Sequence, residues 1–288
     1  MSGPRIYEGR TVLVTGGTKG IGLGTALVFA AHGAQAILTC RWGSAEPDEV
    51  GKRFTALGAP VPLIVEADVA NSDDTKILFE TIKQKFGRLD AFISNASNAV
   101  TVQSLDDLTE RAFLKSMRAS AWPTVEYTLA AKKYLGHYPR YAVVMSSDGP
   151  DRFTPAYDLV AASKAATETL TRYLAYRLKN EDFRINIVRS PAIRTDGFAD
   201  TFGNDFYDFL RRFVSEEWFV TVDEVAKVAF GLCAGMFDAM RQRCALDAPR
   251  PSSCLVITLR FATLQCSREA NVKKVEGTEM TKEHIFAS

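Results

Sequence analysis

Histidine is scarce in this sequence, and the cysteines show none of the spacings that hold a metal. The three histidines, at positions 32, 137 and 284, lie far apart and form no HxxxH or HExxH pattern. The five cysteines are odd in number and include no CxxC pair. These absences argue against a zinc site, a histidine-based catalytic triad and a disulfide framework.

The chain also lacks a large excess of basic or acidic residues, and it lacks a long apolar run. The chain has 35 basic and 34 acidic residues among 288, and the basic residues form no block. No stretch approaches the roughly 20 apolar residues needed to cross a bilayer, and the first ten residues contain no apolar signal segment. We therefore expect a cytoplasmic protein that binds neither nucleic acid nor a membrane.

The chain does contain a regular alternation of apolar runs and helical patterns. Hydrophobic residues make up 47% of the sequence, enough for one large core. The alternation predicts a single-domain α/β protein, a doubly wound parallel sheet (Rossmann fold) with helices on both faces. The apolar runs, some with their exit loops, are 11–15, 36–40, 62–69, 88–97, 141–145 and 184–195, and the predicted helices include 72–86, 108–135 and 221–237.

A glycine-rich turn follows the first apolar run. Gly16, Gly20 and Gly22 form a G-x3-G-x-G pattern between the run 11–15 and a helical segment. Glycines in that place let the backbone approach a pyrophosphate, and they let the positive end of the following helix face its charge. The setting favours dinucleotide binding, and the alternative is a plain tight turn.

The end of the second strand should distinguish the two nicotinamide cofactors. An NAD site usually has an acidic residue there for the ribose, whereas a nearby arginine accommodates the 2′-phosphate of NADP. Arg41 follows the run 36–40, with no Asp or Glu at its end, and Lys19 adds a second cation from the glycine turn. We therefore expect NADPH as the cofactor, and the alternative is that both cations are solvated surface charges.

Polar side chains follow three other predicted strands. Asp68 and Asn95 come just after apolar runs, and Ser146 and Ser147 follow the run 141–145. Open α/β sheets bind ligands at this edge, so Asp68 could accept from an adenine amine, Asn95 could hold the neighbouring turn, and Ser147 could donate to a substrate carbonyl. The alternative is that these groups satisfy loop and strand-end backbone donors.

A tyrosine and a lysine lie seven residues apart in the segment that follows. Thr154 and Pro155 predict a helix start, with Thr154 as the N-cap and Pro155 at the first helical position. Tyr157 would then lie in the first turn, and Lys164 would follow almost two full turns later on the same face. Val160 occupies the position four residues before the lysine, so the tyrosine and lysine form a Tyr-x6-Lys pair.

Taken together, these motifs resemble the short-chain dehydrogenase/reductase family over residues of about 8–240. The resemblance rests on TGGTKGIG, Asp68-Val69, SNAS, the serine pair, ASK at 162–164 and SPAIRT. The Tyr-x6-Lys spacing is similar to that of the divergent branch of NADPH-dependent enoyl-acyl-carrier-protein reductases. Arg118 and Ala119 stand where the family usually has an asparagine.

The resemblance implies a role for each matching residue. Tyr157 would hydrogen-bond a thioester carbonyl and stabilise the enolate formed by hydride addition, Lys164 would hold the nicotinamide ribose, and Ser147 would assist as a third catalytic residue. Ile193 and Thr195 would contact the carboxamide. The implied cofactor-binding residues are Gly16, Lys19, Gly20, Ile21, Gly22, Arg41, Asp68, Val69, Asn95, Lys164, Ile193 and Thr195.

The resemblance also implies a reaction and partners. The leading hypothesis is reduction of the C=C bond of an α,β-unsaturated acyl thioester by NADPH, with an acyl carrier protein as the substrate carrier. The alternatives are a 3-ketoacyl or other ketone reductase of the same family and a redox-silent dinucleotide-binding protein. A homodimer or homotetramer formed through the two long helices is expected.

The last part of the chain departs from the family pattern. We assign residues 1–240 to the reductase domain and 241–288 to an atypical C-terminal segment, with a possible last strand at 254–261 and a poorly ordered tail at 265–288. Before it, the aromatic-rich stretch 197–219 could line an apolar pocket or form a core or oligomer-contact helix. Thr221 and Glu224 have the spacing of a capping box that opens the last predicted helix.

Overall fold

The structure, a computed structural model, describes residues 5–41, 46–98, 100–191, 193, 195, 219–236, 238, 254 and 256–259. The predicted aromatic stretch apart from Phe219, the proposed boundary near residue 240 and the predicted disordered tail 265–288 lie outside these residues.

A single parallel sheet forms the centre of the described chain. Its seven strands lie in the order β3-β2-β1-β4-β5-β6-β7, and every neighbouring pair is parallel. The direction of winding reverses between β1 and β4, which confirms the predicted doubly wound Rossmann architecture. The strands are β1 Thr11–Val14, β2 Gln35–Cys40, β3 Leu63–Glu66, β4 Ala91–Ser94, β5 Tyr141–Ser147, β6 Arg184–Ser190 and β7 Val256–Thr258.

Helices connect the strands. They are α1 Gly20–Ala31, α2 Pro47–Ala56, α3 Ser72–Phe86, α4 Glu110–Ser116, α5 Trp122–Leu135, α6 Asp158–Arg177 and α7 Val222–Cys233, with a 3₁₀ turn at Leu105–Asp107 and a π-helical turn at Met117–Ala121. None of these described helices has the length and apolar character needed to span a membrane.

The two faces of the sheet each carry a hydrophobic core. On one face, α1 and α7 cover the strands, and the ring centroid of Phe29 lies 5.2 Å from that of Phe230 in an edge-to-face contact. On the other face, α3, α5 and α6 pack on the sheet, where the rings of Phe79 and Tyr127 lie 5.6 Å apart. Burial on both faces explains why the central strands are apolar throughout rather than alternating.

Local capping signals fix two helices where the sequence predicts them. The Asn71 side chain accepts from the backbone N–H of Asp73 at the start of α3, and Gly87 ends that helix in the left-handed region with φ 68°. The predicted capping box of Thr221 and Glu224 is present at the start of α7. That helix ends at Cys233, four residues before the predicted end at 237.

The predicted start of α6 is wrong. The helix begins at Asp158, and Tyr157 is its N-cap residue rather than part of its first turn. Ala156 lies in the left-handed region with φ 61°, which is incompatible with a right-handed helix. Its carbonyl accepts instead from the N–H of Val102, 3.2 Å away in a distant loop, so a tertiary contact overrides the local start signal.

The predicted helix 108–135 is interrupted. A π-helical turn separates α4 from α5. Pro123 has no N–H to donate to the carbonyl of Ala119, so the regular α-helical bond is lost and the backbone widens there.

Strand boundaries also differ from the apolar runs. The strands within 62–69, 88–97 and 184–195 are shorter than those runs, whereas β5 extends to include Ser146 and Ser147. The short strand β7 lies within the 254–261 range expected for a last strand and pairs in parallel with β6.

Candidate active site

The glycine turn leads from β1 into α1 at the carboxyl edge of the sheet. Gly16 and Gly20 have φ of 61° and 54°, a region that other residues rarely adopt. A Cβ on Gly22 would lie 2.2 Å from the Gly16 carbonyl oxygen and 2.6 Å from Asn95 Nδ2, so no side chain fits there. Lys19 is exposed beside this turn and is the N-cap residue of α1.

Asn95 holds the glycine turn from the neighbouring strand. Its side-chain N–H group donates to the carbonyls of Thr15 and Gly16, at 2.9 and 3.1 Å. In return, the Thr15 hydroxyl accepts from the backbone N–H groups of Asn95 and Ala96, each at 3.0 Å. These four bonds join the ends of β1 and β4 at the point where the winding of the sheet reverses.

The chain leaving β6 meets the same turn. A Cβ built on Gly20 would lie 3.6 Å from the Cβ of Thr195, so this predicted carboxamide-binding residue is adjacent to the glycines. Ile193 is buried in the core that also contains residues of α1. Ile21 packs against that core from the first turn of α1.

A cavity of about 650 Å³ opens beside the ends of β2 and β3. Arg41 and Asp68, the residues predicted to contact the adenosine end of a cofactor, line this cavity, while Val69 is buried in the core. Oδ1 of Asp68 accepts from the N–H of Ala70 at 2.9 Å, so part of its carboxylate is engaged in a local turn.

Arg118 reaches the same cavity from the π-helical turn. The sequence shows it only in place of the family asparagine and does not predict that it shares this cavity with Arg41. Nη2 of Arg118 donates to the carbonyl of Ala70 at 3.1 Å. A helical signal over 108–135 places the residue on a helix but does not indicate which way the widened turn directs it. The structure therefore brings cations from the second strand end and from α4–α5 to one cavity.

The predicted catalytic residues meet at the end of β5. The Tyr157 hydroxyl donates to Oγ of Ser147 at 3.1 Å. Burial raises the pKa of Tyr157, while its hydrogen bond with Ser147 acts in the opposite direction. The phenol is therefore protonated at neutral pH and can donate to an oxygen atom.

Lys164 is buried on α6, below these hydroxyls. Its Nζ donates to the Met145 carbonyl at 2.9 Å. Burial lowers the pKa of Lys164 to about 8, and the negative charge of Glu168 opposes this shift. The ammonium form is therefore the main form at neutral pH, and it is lost as the pH rises through about 8.

A close backbone approach positions the tyrosine ring. A Cβ on Gly149 would lie 2.5 Å from Cε1 of Tyr157, so only glycine leaves room for the ring in this position. The N–H of Gly149 also donates to Ser147 Oγ at 3.3 Å. Nothing in the sequence around Gly149 indicates this contact, because it depends on how the turn before α6 folds.

The geometry fits a bound dinucleotide. The glycine turn leads into the N-terminus of α1, the cavity is lined by Arg41 and Asp68 after the neighbouring strands β2 and β3, and Tyr157 contacts the end of β5 at the same sheet edge. No cluster of three His, Cys, Asp or Glu suitable for a metal occurs among the residues described.

The chain is similar in sequence to known reductases and dehydrogenases. A family model described as enoyl-(acyl carrier protein) reductase matches residues 16–241. The enoyl-[acyl-carrier-protein] reductase [NADH] of Enterococcus faecalis is 28% identical over 194 residues, which are 65% of this chain and 75% of that protein. The 11-beta-hydroxysteroid dehydrogenase A of Sesamum indicum is 32% identical over 160 residues, 55% of this chain and 45% of that protein.

A solved structure has the same fold. The short chain dehydrogenase of Burkholderia cenocepacia in complex with NADP is 25% identical and superposes with a TM-score of 0.71. The match covers 88% of this chain and 97% of that one.

Replacing Gly22 by alanine should weaken dinucleotide binding. The new methyl group would meet the Gly16 carbonyl and Asn95, and overpacking of this kind costs about 1–3 kcal/mol. A loss of that size corresponds to a roughly 5-fold to 150-fold weaker affinity for NADPH, measured by fluorescence titration.

The matched control is Gly51→Ala on α2. A Cβ there meets only Val61 Cγ1 at 3.8 Å, so NADPH affinity should be unchanged. Equal affinities for the two variants would contradict the assignment of the glycine turn to the cofactor.

Proposed function

Because the chain belongs to the short-chain dehydrogenase/reductase family, we propose that it is an NADPH-dependent reductase of the C=C bond of α,β-unsaturated acyl thioesters. The observation that carries this proposal is the Tyr157 phenol, protonated and 3.1 Å from Ser147 Oγ, with the buried ammonium of Lys164 seven residues further along the chain. The proposal also names an acyl carrier protein as the carrier of the substrate.

The residues at the end of β5 match the charge that develops in this reaction. Bound NADPH would supply the hydride, which is added to the β-carbon of the substrate. As the hydride arrives, negative charge builds on the thioester oxygen. A fixed O–H donor from Tyr157 stabilises that oxygen, and the positive charge of Lys164 stabilises the same region electrostatically. A proton from solvent water then adds to the α-carbon and completes the reduction.

The spacing of the pair favours C=C reduction over ketone reduction. Reduction of a ketone requires a proton to be delivered to the carbonyl oxygen, whereas enolate stabilisation requires only a hydrogen bond to it. Tyr157 precedes α6, so it lies further from Lys164 along the chain than a tyrosine one helical turn away would. The described function of the matching family model and of the Enterococcus faecalis relative supports the same choice.

Ketone reduction is the second candidate, and the contact between Ser147 and Tyr157 is the observation that favours it. Two hydroxyl groups 3.1 Å apart can hold one carbonyl oxygen together, with Tyr157 delivering the proton. The name of the Sesamum indicum relative indicates that such chemistry occurs among proteins similar to this chain.

Two arginines support NADPH rather than NADH. Arg41 and Arg118 line the cavity from opposite elements, the end of β2 and the π-helical turn. A 2′-phosphate placed in this cavity would receive charge-assisted hydrogen bonds from guanidinium groups. The Burkholderia cenocepacia protein binds NADP, although the Enterococcus faecalis relative is named for NADH.

An exposed apolar face supports the proposal of a homo-oligomer. The outer sides of α5 and α6 expose four large side chains by 48–63%: Trp122, Leu129, Tyr173 and Tyr176. Exposed apolar side chains concentrated on two adjacent helices are typical of a protein–protein contact. A second copy of the chain would cover this face with its own α5 and α6.

The reaction is tested with NADPH oxidation at 340 nm, offering a short enoyl thioester and a 3-ketoacyl thioester separately. We expect absorbance to fall with the enoyl substrate alone. Tyr157→Phe should keep NADPH affinity and lose at least about 100-fold in turnover, the usual contribution of such a group. Turnover of only the ketoacyl substrate would replace the first candidate by the second, and unchanged turnover in the variant would exclude the role of Tyr157.

The cofactor preference is tested with Arg41→Ala. Loss of a hydrogen bond to a charged group costs about 1.5–3 kcal/mol, so the KM for NADPH should rise roughly 10-fold to 150-fold while the KM for NADH stays unchanged. Arg53→Ala, at an exposed position on α2, is the control and should leave both values unchanged. An equal rise for the two cofactors in Arg41→Ala would contradict a 2′-phosphate contact.

The oligomer is tested with Tyr173→Glu. A charge buried in an apolar contact is costly, so sedimentation velocity should show a dimer or tetramer for the parent protein and a monomer for the variant. Leu57→Glu makes a similar change after α2, on the opposite side of the sheet, and should leave the oligomer intact. A monomeric parent protein at micromolar concentration would overturn the proposal.

A further inference from the structure

A buried carboxylate lies one helical turn beyond Lys164. Glu168 on α6 is 1% exposed, and its oxygens accept four hydrogen bonds. Ser146 Oγ donates at 2.7 Å, Nε and Nη2 of Arg189 donate at 2.6 and 2.5 Å, and Nη2 of Arg172 donates at 3.1 Å. This charge is therefore fully paired inside the protein.

The partners of this carboxylate come from two adjacent strands. Ser146 in β5 lies directly beside Arg189 in β6 in the register of the sheet. Glu168 thus joins both strands to α6 through one side chain. Arg189 also contacts Asp151 in the segment between β5 and α6, so the same ion pair reaches the chain that leads to Tyr157.

Three consecutive residues of β5 contact the chain around α6. The Met145 carbonyl accepts from Lys164, the Ser146 hydroxyl donates to Glu168, and the Ser147 hydroxyl accepts from Tyr157. The middle contact therefore lies between the two that involve the candidate catalytic side chains. Any shift of β5 against α6 would change all three.

We propose that Glu168, locked by Arg189, is a positioning residue that keeps Lys164 charged and fixes the end of β5 beside Tyr157. This inference deepens the proposed function, on which it rests only for the roles of Lys164 and Tyr157 in binding cofactor and substrate. Glu168 itself lies under the site and acts through these residues.

The electrostatic part follows from the charges around the buried ammonium. Glu168 is the anion on the same helix, and Arg189 in β6 is paired with Glu168. The titratable residues Asp148, Asp151 and Tyr157 belong to the segment after β5. Burial disfavours the charged form of Lys164, and Glu168 is the group that opposes it. Without this anion the lysine would lose its proton at a lower pH.

Loss of the Glu168 charge should move the alkaline loss of function in one direction only. A lysine is cationic below its pKa, so a function that needs the ammonium is lost as the pH rises through that value. Removing the Glu168 charge therefore lowers the pKa of Lys164 and moves the alkaline loss of function to lower pH.

The test compares Glu168→Gln with the parent protein in NADPH affinity, measured by fluorescence at pH 6–10. We expect the alkaline decline to move down by about one pH unit, the usual effect of a neighbouring charge. Above that decline, NADPH affinity should be up to about tenfold lower. Glu168→Asp, which keeps the charge, should restore the decline toward the parent value.

The matched control is Glu181→Gln, the same chemical change at an exposed carboxylate that lies 4.0 Å from Nζ of Lys132. Its pH profile should equal that of the parent. If Glu168→Gln does not fold because Arg189 and Arg172 lose this buried partner, Glu168→Gln/Arg189→Gln removes the facing cation as well. Glu168 is the charge that acts on Lys164, so the alkaline decline of the double variant should still lie below that of the parent.

An alkaline decline at the same pH in the parent and in Glu168→Gln, or none between pH 7 and 10 in the parent, would overturn the inference. The outcome is separate from the proposed reaction, because it is read from NADPH binding. If the shift occurs but no enoyl thioester is reduced, the inference stands and the proposed function fails.

Discussion

The ammonium group of Lys164 is buried, and this placement constrains the surrounding structure. A charge removed from water is stable only when it is paired and hydrogen-bonded. Lys164 has the Met145 carbonyl at 2.9 Å and the charge of Glu168 one turn away. Glu168 in turn is stabilised by Arg189, Ser146 and Arg172, which donate to its oxygens. One buried cation thus requires a chain of partners that links α6, β5 and β6.

The parallel sheet brings these partners to the edge where its strands end. All strands run the same way, so their carboxyl ends share one edge. The bonds between Thr15 and Asn95 join β1 to β4 where the winding reverses, and they hold the glycine turn open. The glycine turn and the side chains of Ser147 and Tyr157 therefore lie at one edge of the sheet, the turn held by bonds between β1 and β4 and the Tyr157 hydroxyl by its bond to β5.

Sequence reasoning reaches the features that depend on local chemistry. The glycines at 16, 20 and 22, the helix over 72–86 and the Thr221 capping box depend on residues a short distance apart, so they can be predicted from spacing. The features that were missed depend on distant contacts. Ala156 adopts φ 61° while bonded to Val102, and Arg189 becomes the partner of Glu168 only through strand register. No local pattern in either segment indicates these contacts.

Because Tyr157 lies outside α6, different contacts fix the Tyr157 hydroxyl and the Lys164 ammonium. Lys164 is fixed by the helix and by the Met145 carbonyl, so its position follows from the core. Tyr157 is fixed by the turn at Ala156, by contact with Gly149 and by the Ser147 hydroxyl, which all belong to loops or a strand end. Changes in those loops can therefore move the Tyr157 hydroxyl while the Lys164 ammonium stays in place. In the proposed function, the donor to the substrate is thus set by contacts separate from those that fix the cation near the cofactor, so the two can vary independently.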